Sequence, residues 1–249
     1  MNRIERVALT DPRPAPVPRG LSRTRRSLPP ELIHAIDLER LSWTLQLKGV
    51  PAAHVAMIAR PRRMGVCLRP PESLAPGPVL GLGTALSEID RLWPAPSLSP
   101  REPGLRTRAQ AIERWLAGEV AASVLLSLVQ VVGGRRRGQQ AAAHQLIMDP
   151  ASADVIRRAF DLISGLTQRH AYVLGDELSF VDLTAAAVLA PIARKEGWVW
   201  AGHGWPPLSA VAGRCELAQH RGAAWVRGIY ERHARQRVVT PHSSHSWLP

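Results

Sequence analysis

A nearly unbroken run of apolar residues follows a short polar stretch at residues 175–192, whose sequence is GDELSFVDLTAAAVLAPI. A helix that is apolar all round is buried on every side, so the run predicts the axis of a helical domain. Ser179 and Asp182 have the spacing of a capping box. In such a box the Ser179 hydroxyl accepts a first-turn N–H, and the Asp182 carboxylate accepts the Ser179 N–H. Leu178 and Leu183 are placed for a hydrophobic staple.

Apolar stripes at helical spacing lie on both sides of this run. In the stretch 106–132, apolar residues fall at i, i+3, i+4 and i+8, and Gly133 and Gly134 predict the end of that helix. Further helices are predicted at 155–166 and 223–233. The second half of the chain is therefore predicted to be a succession of helices.

The first half has shorter apolar runs, which predict strands, and two segments of helical character. The predicted strands cover 31–36, 50–58, 64–69 and 78–82, of which the last two form an antiparallel pair, and the predicted helices cover 39–48 and 84–92. The Pro- and Ser-rich residues 94–103 predict a linker. An alternative assignment places 72–75 in a further helix and starts the third strand at Pro78, at the cost of one strand.

Both ends of the chain lack a periodic apolar face. Residues 1–29 contain seven arginines and five prolines against two acidic residues, and residues 239–249 form a polar tail. Such segments bury too little surface to offset their ordering entropy. We therefore predict a disordered basic extension over 1–29 and a flexible tail over 239–249.

Deletion of residues 1–28 is expected to leave the thermal midpoint nearly unchanged, because this segment has no apolar face to pack. Differential scanning fluorimetry of the full and shortened chains tests this. A midpoint lowered by more than a few degrees would mean that the extension packs on the fold.

Composition and charge narrow the function classes. The net charge is +12 and nearly all of it is arginine, which a GC-rich coding sequence explains without any function. Nucleic-acid binding would require a basic stripe with interleaved aromatic residues, and none is found. Two distant cysteines form no disulfide framework, so a cytoplasmic location is expected. No apolar run has the length of a membrane span, and no membrane association is expected.

Two stretches resemble one known family. The run GDELSFVDLTAAAVLAPI at 175–192 is similar to the capped central helix in the C-terminal domain of glutathione S-transferases. The sequence ERLSWTLQLKGVP at 39–51 resembles the first helix and turn of their N-terminal domain. The resemblance covers residues 31–235. It implies a thioredoxin-like α/β domain over 30–96, shortened, and an all-α helical bundle over 97–238, with glutathione as cofactor and a homodimer as assembly.

The same resemblance implies three glutathione-binding features, and this sequence departs from each. The family's hydroxyl or thiol at the start of the first helix corresponds to HAIDL at 34–38, where Asp37 would repel a thiolate and is expected to act as a helix cap. Gly65 stands at the position of a cis-proline, which Pro78 would supply in the alternative assignment. The acidic–hydroxyl pair corresponds to Leu82 and Gly83, followed by Thr84.

Two functions from different classes follow. One is a transferase of weak or altered activity that adds glutathione to a hydrophobic electrophile. It would bind the tripeptide through the backbone at Gly65 and Gly83 and through Thr84. The other is a non-catalytic module that binds a small hydrophobic ligand or a partner protein on the same scaffold. No catalytic residue and no metal ligand is predicted, because the residues that would carry the chemistry are missing.

Overall fold

The first half of the chain forms a small antiparallel sheet and two helices that pack against it and contact each other. The computed structural model describes residues 30–50, 55–60, 63–68, 79–80, 82–136, 148–193 and 216–233. The elements of the first half are α1 (Pro30–Leu47), β1 (Val55–Arg60), β2 (Arg63–Leu68), β3 (Val79–Leu80) and α2 (Leu82–Leu92).

The regular elements described in the second half are all helices or helical turns. A π turn at Leu116–Val120 joins two helices of this half into one continuous rod. The helices are α3 (Pro103–Trp115), α4 (Ala121–Arg136), α5 (Pro150–Leu166), α6 (Phe180–Ala193) and α7 (Arg221–His233), and a 3₁₀ turn at Glu216–Gln219 precedes the last. Among the described residues, none of the helices combines the length and apolar content needed to cross a lipid bilayer.

The sheet has the order β1-β2-β3, and each strand is antiparallel to its neighbour. Cys67 pairs with Leu80 and Leu68 with Val79, so the antiparallel pair predicted from the sequence is confirmed. The strand predicted at 31–36 is wrong, because those residues form the first turns of α1. Pro30 occupies the first helical position, where its missing N–H costs nothing, and no breaker follows before Gly49.

Helix α6 is the buried axis that the sequence predicted. All 14 of its residues are buried, and it packs against α1, α3, α4 and α7. Asp182 accepts the Ser179 N–H at 2.8 Å, which confirms one half of the capping box. The other half differs: the Ser179 hydroxyl donates to the Asp182 carboxylate at 2.6 Å, and the second carboxylate oxygen accepts the Val173 N–H at 2.7 Å.

The prediction that Gly133 and Gly134 end a helix is wrong, because both lie inside α4. Each glycine costs a helix about 1 kcal/mol relative to alanine, which is too little to stop a helix whose preceding turns are well buried. Buried residues Val124, Leu125 and Leu128 supply that packing.

A buried ammonium group ties the first half of the chain to the segment that follows it. The side chain of Lys48 is fully buried and donates to Asp90 at 2.7 Å, to the Trp93 carbonyl at 2.5 Å and to the Pro96 carbonyl at 2.7 Å. Asp90 also accepts the Leu98 N–H. Burial acts to raise the pKa of Asp90, but hydrogen bonds from Lys48, Leu98 and Ser99, together with the charge of Lys48, outweigh it and lower that pKa.

Candidate functional site

Residues 34–38, which the sequence predicts at the start of the first helix, lie well inside α1. Residues 34–38 follow more than one full turn of α1, so their backbone N–H groups donate to carbonyls four residues earlier. Only the first four N–H groups of a helix are free to stabilise an anion. The expectation that Asp37 caps this helix is therefore wrong, and this part of α1 offers a thiolate little main-chain support.

A partly buried ion pair lies beside this part of α1. Arg40 donates to Glu113 of α3 at 2.5 Å, and its guanidinium lies 3.9 Å from the Asp37 carboxylate. The Thr184 hydroxyl of α6 donates to the same Glu113 oxygen at 3.3 Å. Only 5% of the Arg40 side chain is exposed. Burial lowers the pKa of Arg40, while the charges of Glu113 and Asp37 oppose that shift.

This network joins α1 to α3 and α6, and a second contact joins α1 to α7. The Tyr230 hydroxyl donates to Glu39 at 3.0 Å, and the ring of Tyr230 packs on Trp43 with centroids 4.6 Å apart. The sequence hinted at these links only weakly. Arg40 is the only arginine or lysine in α1, and Thr184 is the only residue with a hydroxyl group in α6. Neither pattern indicates that Glu113 is the hydrogen-bond partner of these side chains.

A small cavity lies beside the ion pair. Its volume is about 40 Å³, which is room for a few water molecules, whereas small-molecule sites measure about 300–1,000 Å³. Its walls come from α1, the π turn and α4, through Ile36, Asp37, Arg40, Ala117, Ala121, Ala122 and Leu125. The cavity is therefore too small for a tripeptide.

Gly65 lies in the middle of β2, opposite Ile58 of β1. Arg60 and Arg63 flank a two-residue connection, which makes them a hydrogen-bonded pair of the hairpin. Hydrogen-bonded and non-hydrogen-bonded pairs alternate along an antiparallel ladder, so Gly65 and Ile58 also exchange both of their main-chain bonds. The amide and carbonyl of Gly65 are thus already used within the sheet.

Gly83 and Thr84 lie in the first turn of α2, where main-chain N–H groups are free to bind an anion. Helix α2 packs against β2, the strand that contains Gly65. The structure therefore brings together the elements that hold the predicted residues. The side chain of Thr84 and the whole of Pro78 lie outside the described residues.

The sequence offers four further candidates: an arginine run at 135–137 for an anion, His34, two histidines in the C-terminal tail for a metal, and three clustered tryptophans for a hydrophobic cleft. Arg135 and Arg136 end α4, and the side chains of both, like that of His34, lie outside what the structure describes. Arg137, the histidines at 242 and 245 and the tryptophans at 198, 200 and 205 also fall outside the described ranges. Within those ranges, no group of three or more histidine, cysteine or acidic side chains could hold a metal ion.

Comparison with solved structures shows which fold this architecture is similar to. A glutathione S-transferase from Rhodospirillum rubrum F11 matches with a TM-score of 0.53 and 16% identity, over 83% of this chain and 90% of that chain. FzlA from C. crescentus matches with a TM-score of 0.50 and 16% identity, over 79% and 84% of the two chains. No family model and no curated protein matches the sequence. At these identities the likeness shows a glutathione S-transferase-like fold and no chemistry.

Proposed function

We propose that this chain is a non-catalytic binding protein of the cytoplasm, built on a glutathione S-transferase-like scaffold. One observation carries the proposal: α1 runs without interruption through residues 34–38. This segment corresponds to the family's thiolate-supporting residue, and its backbone N–H groups already donate within the helix. The Arg40–Glu113 ion pair lies just beyond it. The segment 34–38 also contains an acidic side chain, Asp37, which would repel a thiolate.

The energetics support the same conclusion. A charge-assisted hydrogen bond contributes about 1.5–3 kcal/mol, so the loss of two such bonds weakens glutathione binding by about two to four decades. Leu82 and Gly83 supply neither the acid nor the hydroxyl of the family's pair. Binding at Gly65 would also compete with its pairing to Ile58.

A second function, weak glutathione transfer, has one observation in its favour. Gly83 and Thr84 begin a helix, and free N–H groups there favour a carboxylate of the tripeptide without any particular side chain. We propose these residues as the route of any residual glutathione binding. The thioredoxin-like arrangement of the first domain and a homodimeric assembly also remain proposals.

Isothermal titration calorimetry with glutathione separates the two functions. We expect no binding below millimolar concentrations and no conjugation of standard electrophiles above the uncatalysed rate. The double substitution Leu82→Glu with Gly83→Ser restores the family's pair at the start of α2. It is expected to tighten binding at least tenfold, because the glutamate carboxylate can accept from the ammonium of the γ-glutamyl end and the serine hydroxyl can donate to its carboxylate.

The dipeptide Cys-Gly, which lacks the γ-glutamyl group, is the control ligand and should not distinguish the two proteins. Micromolar binding of glutathione by the unmodified chain, or conjugation at the rate of an ordinary transferase, would overturn the non-catalytic proposal.

A further inference from the structure

Basic side chains without a partner are concentrated on one helix of the described structure. Arg40, Arg91, Arg157 and Arg158 each pair with a carboxylate. Others, such as Arg227, donate to main-chain carbonyls. Among the arginines whose side chains the structure describes, five have neither kind of partner. Three of these lie on or next to α3, namely Arg101, Arg108 and Arg114. The other two, Arg169 and Arg221, lie elsewhere.

The exposed side of α3 contains no carboxylate. Its seven exposed positions are Pro103, Gly104, Arg106, Thr107, Arg108, Gln110 and Arg114. Glu113 is turned toward Arg40. Glu102, at the N-cap, is the acidic group beside this surface, and its side chain caps nothing. Arg106, Arg108 and Arg114 are spread over the whole exposed half of α3, and Arg101 lies two residues before it; we call these four residues together the arginine face.

One member of the arginine face is held in place by the main chain. The Arg106 guanidinium donates to the carbonyls of Pro100 and Arg101, both at 3.2 Å. Carbonyls fix its position but do not neutralise its charge. Arg106 and Arg114 are eight residues apart, which corresponds to about 12 Å along the helix axis. A positioned guanidinium loses less side-chain entropy when it binds, and its planar fork suits carboxylates.

An arginine-rich composition spread evenly along the chain would not concentrate the unpaired arginines at one helix. Acidic and basic residues are nearly balanced over the described ranges, and most of the net charge of +12 lies in the remaining segments. The unpaired charge of the described structure is nevertheless concentrated at α3. Since the exposed side of α3 contains no carboxylate, a carboxylate-bearing partner would pair charges that the described structure leaves unpaired.

We propose that the arginine face of α3 is the docking surface for an acidic segment of a partner protein. This inference rests on the proposed binding function and names the class of its partner. A second copy of this chain is a poor occupant, because a two-fold contact centred on this face would set its arginines against themselves. Nucleic acid is also a poor fit, since the exposed positions of α3 include no aromatic side chain for stacking.

Fluorescence anisotropy with a labelled 15-residue glutamate peptide, at about 50 mM salt, tests the proposal on the full chain. The variant Arg108→Glu with Arg114→Glu should weaken binding at least tenfold. The control Arg169→Glu with Arg221→Glu makes the same change of charge at two exposed, unpaired arginines away from α3, and it should weaken binding less than threefold. If the reversals unfold the protein, the pair Arg108→Gln with Arg114→Gln replaces them, with an expected loss of about threefold.

Equal losses in the α3 variant and the control would show attraction by total charge and would overturn the docking surface. So would the absence of peptide binding, or tighter binding of a DNA duplex or of phosphatidylserine vesicles that the α3 variant abolishes. Dimers that dissociate in the α3 variant would assign the face to a second copy instead. A positive glutathione titration would overturn the non-catalytic proposal and leave this experiment unaffected, so the two failures are distinguishable.

Discussion

Replacement of Gly222 by alanine is expected to lower the free energy of unfolding by about 3 kcal/mol. Gly222 is buried where α7 begins to cross α5, and an added Cβ would lie 2.6 Å from the Phe160 carbonyl oxygen and 2.8 Å from its Cα. Both are backbone atoms in the middle of a helix, so relief requires one helix to move. Overpacking of this kind costs about 1–3 kcal/mol, and the larger value applies where no side chain can rotate away.

Movement of α7 would also disturb His220, the residue that precedes the first turn of this helix. The His220 ring stacks on Phe160 with centroids 5.6 Å apart and accepts the Gly222 N–H at 3.0 Å. Its other nitrogen lies 3.1 Å from Asp161. Alanine at position 222 is therefore expected to disturb three interactions of His220: its stacking on Phe160, its bond from the Gly222 N–H and its contact with Asp161.

Gly228 provides a matched control in the same helix. A Cβ at this position meets nothing within 4 Å, so Gly228→Ala should stabilise the protein by about 0.5–1 kcal/mol through helix propensity. Urea unfolding followed by circular dichroism measures both variants. Similar midpoints for the two alanine variants would show that α7 and α5 are not as closely packed as described.

The second large effect is expected from Asp182→Ala, at about 3 kcal/mol. The Asp182 side chain is fully buried and accepts three hydrogen bonds, from the N–H groups of Val173 and Ser179 and from the Ser179 hydroxyl. Burial raises the pKa of Asp182, and these hydrogen bonds oppose that shift. Alanine would leave two buried N–H groups without an acceptor, at about 1–3 kcal/mol each.

Ser179→Ala should cost about 1 kcal/mol, because it removes a single donor and leaves both N–H bonds to Asp182 in place. Asp176→Ala is the control: its carboxylate is 79% exposed and contacts only His170 among the described side chains, so its loss should be within about 0.5 kcal/mol of zero. Chemical denaturation of the three variants gives the order. An Asp182→Ala protein as stable as the Asp176→Ala protein would refute the role assigned to this carboxylate.

The sequence predicted the helical half well where a local rule was sufficient. The capping spacing of Ser179 and Asp182, together with an apolar run, locates α6 because both signals lie within a few residues of each other. The bond from Val173 to Asp182 was not predictable, since it depends on how the preceding loop folds back.

The first half was predicted less well because its segments are short and its local signals conflict. The run ELIHAI at 31–36 is apolar enough for a strand, but it continues without a breaker into the helix that follows. A short apolar run cannot by itself distinguish the two structures. The candidate site depended on that choice, because a strand would have placed 34–38 at a helix start and the observed helix places it inside.

The ion pair of Arg40 and Glu113 shows a different limit. Its two residues are 73 positions apart, so no periodic pattern relates them. Their meeting is a property of the packed helices, and only a structure shows it.

The buried ammonium of Lys48 bears on how the chain unfolds. Its bonds reach α2 and the carbonyls of Trp93 and Pro96, and the next residues continue the connection, since the Leu98 carbonyl accepts the N–H of Phe180 at the start of α6. The Lys48 bonds all lie before residue 97, and separation of the two halves would instead break the Arg40–Glu113 ion pair and the bond from Tyr230 to Glu39 and expose the apolar contact of α1 with α6. The proposed domain boundary between residues 96 and 97 thus separates the α/β part of the chain from the helical part. The two parts are nevertheless expected to unfold in a single cooperative transition.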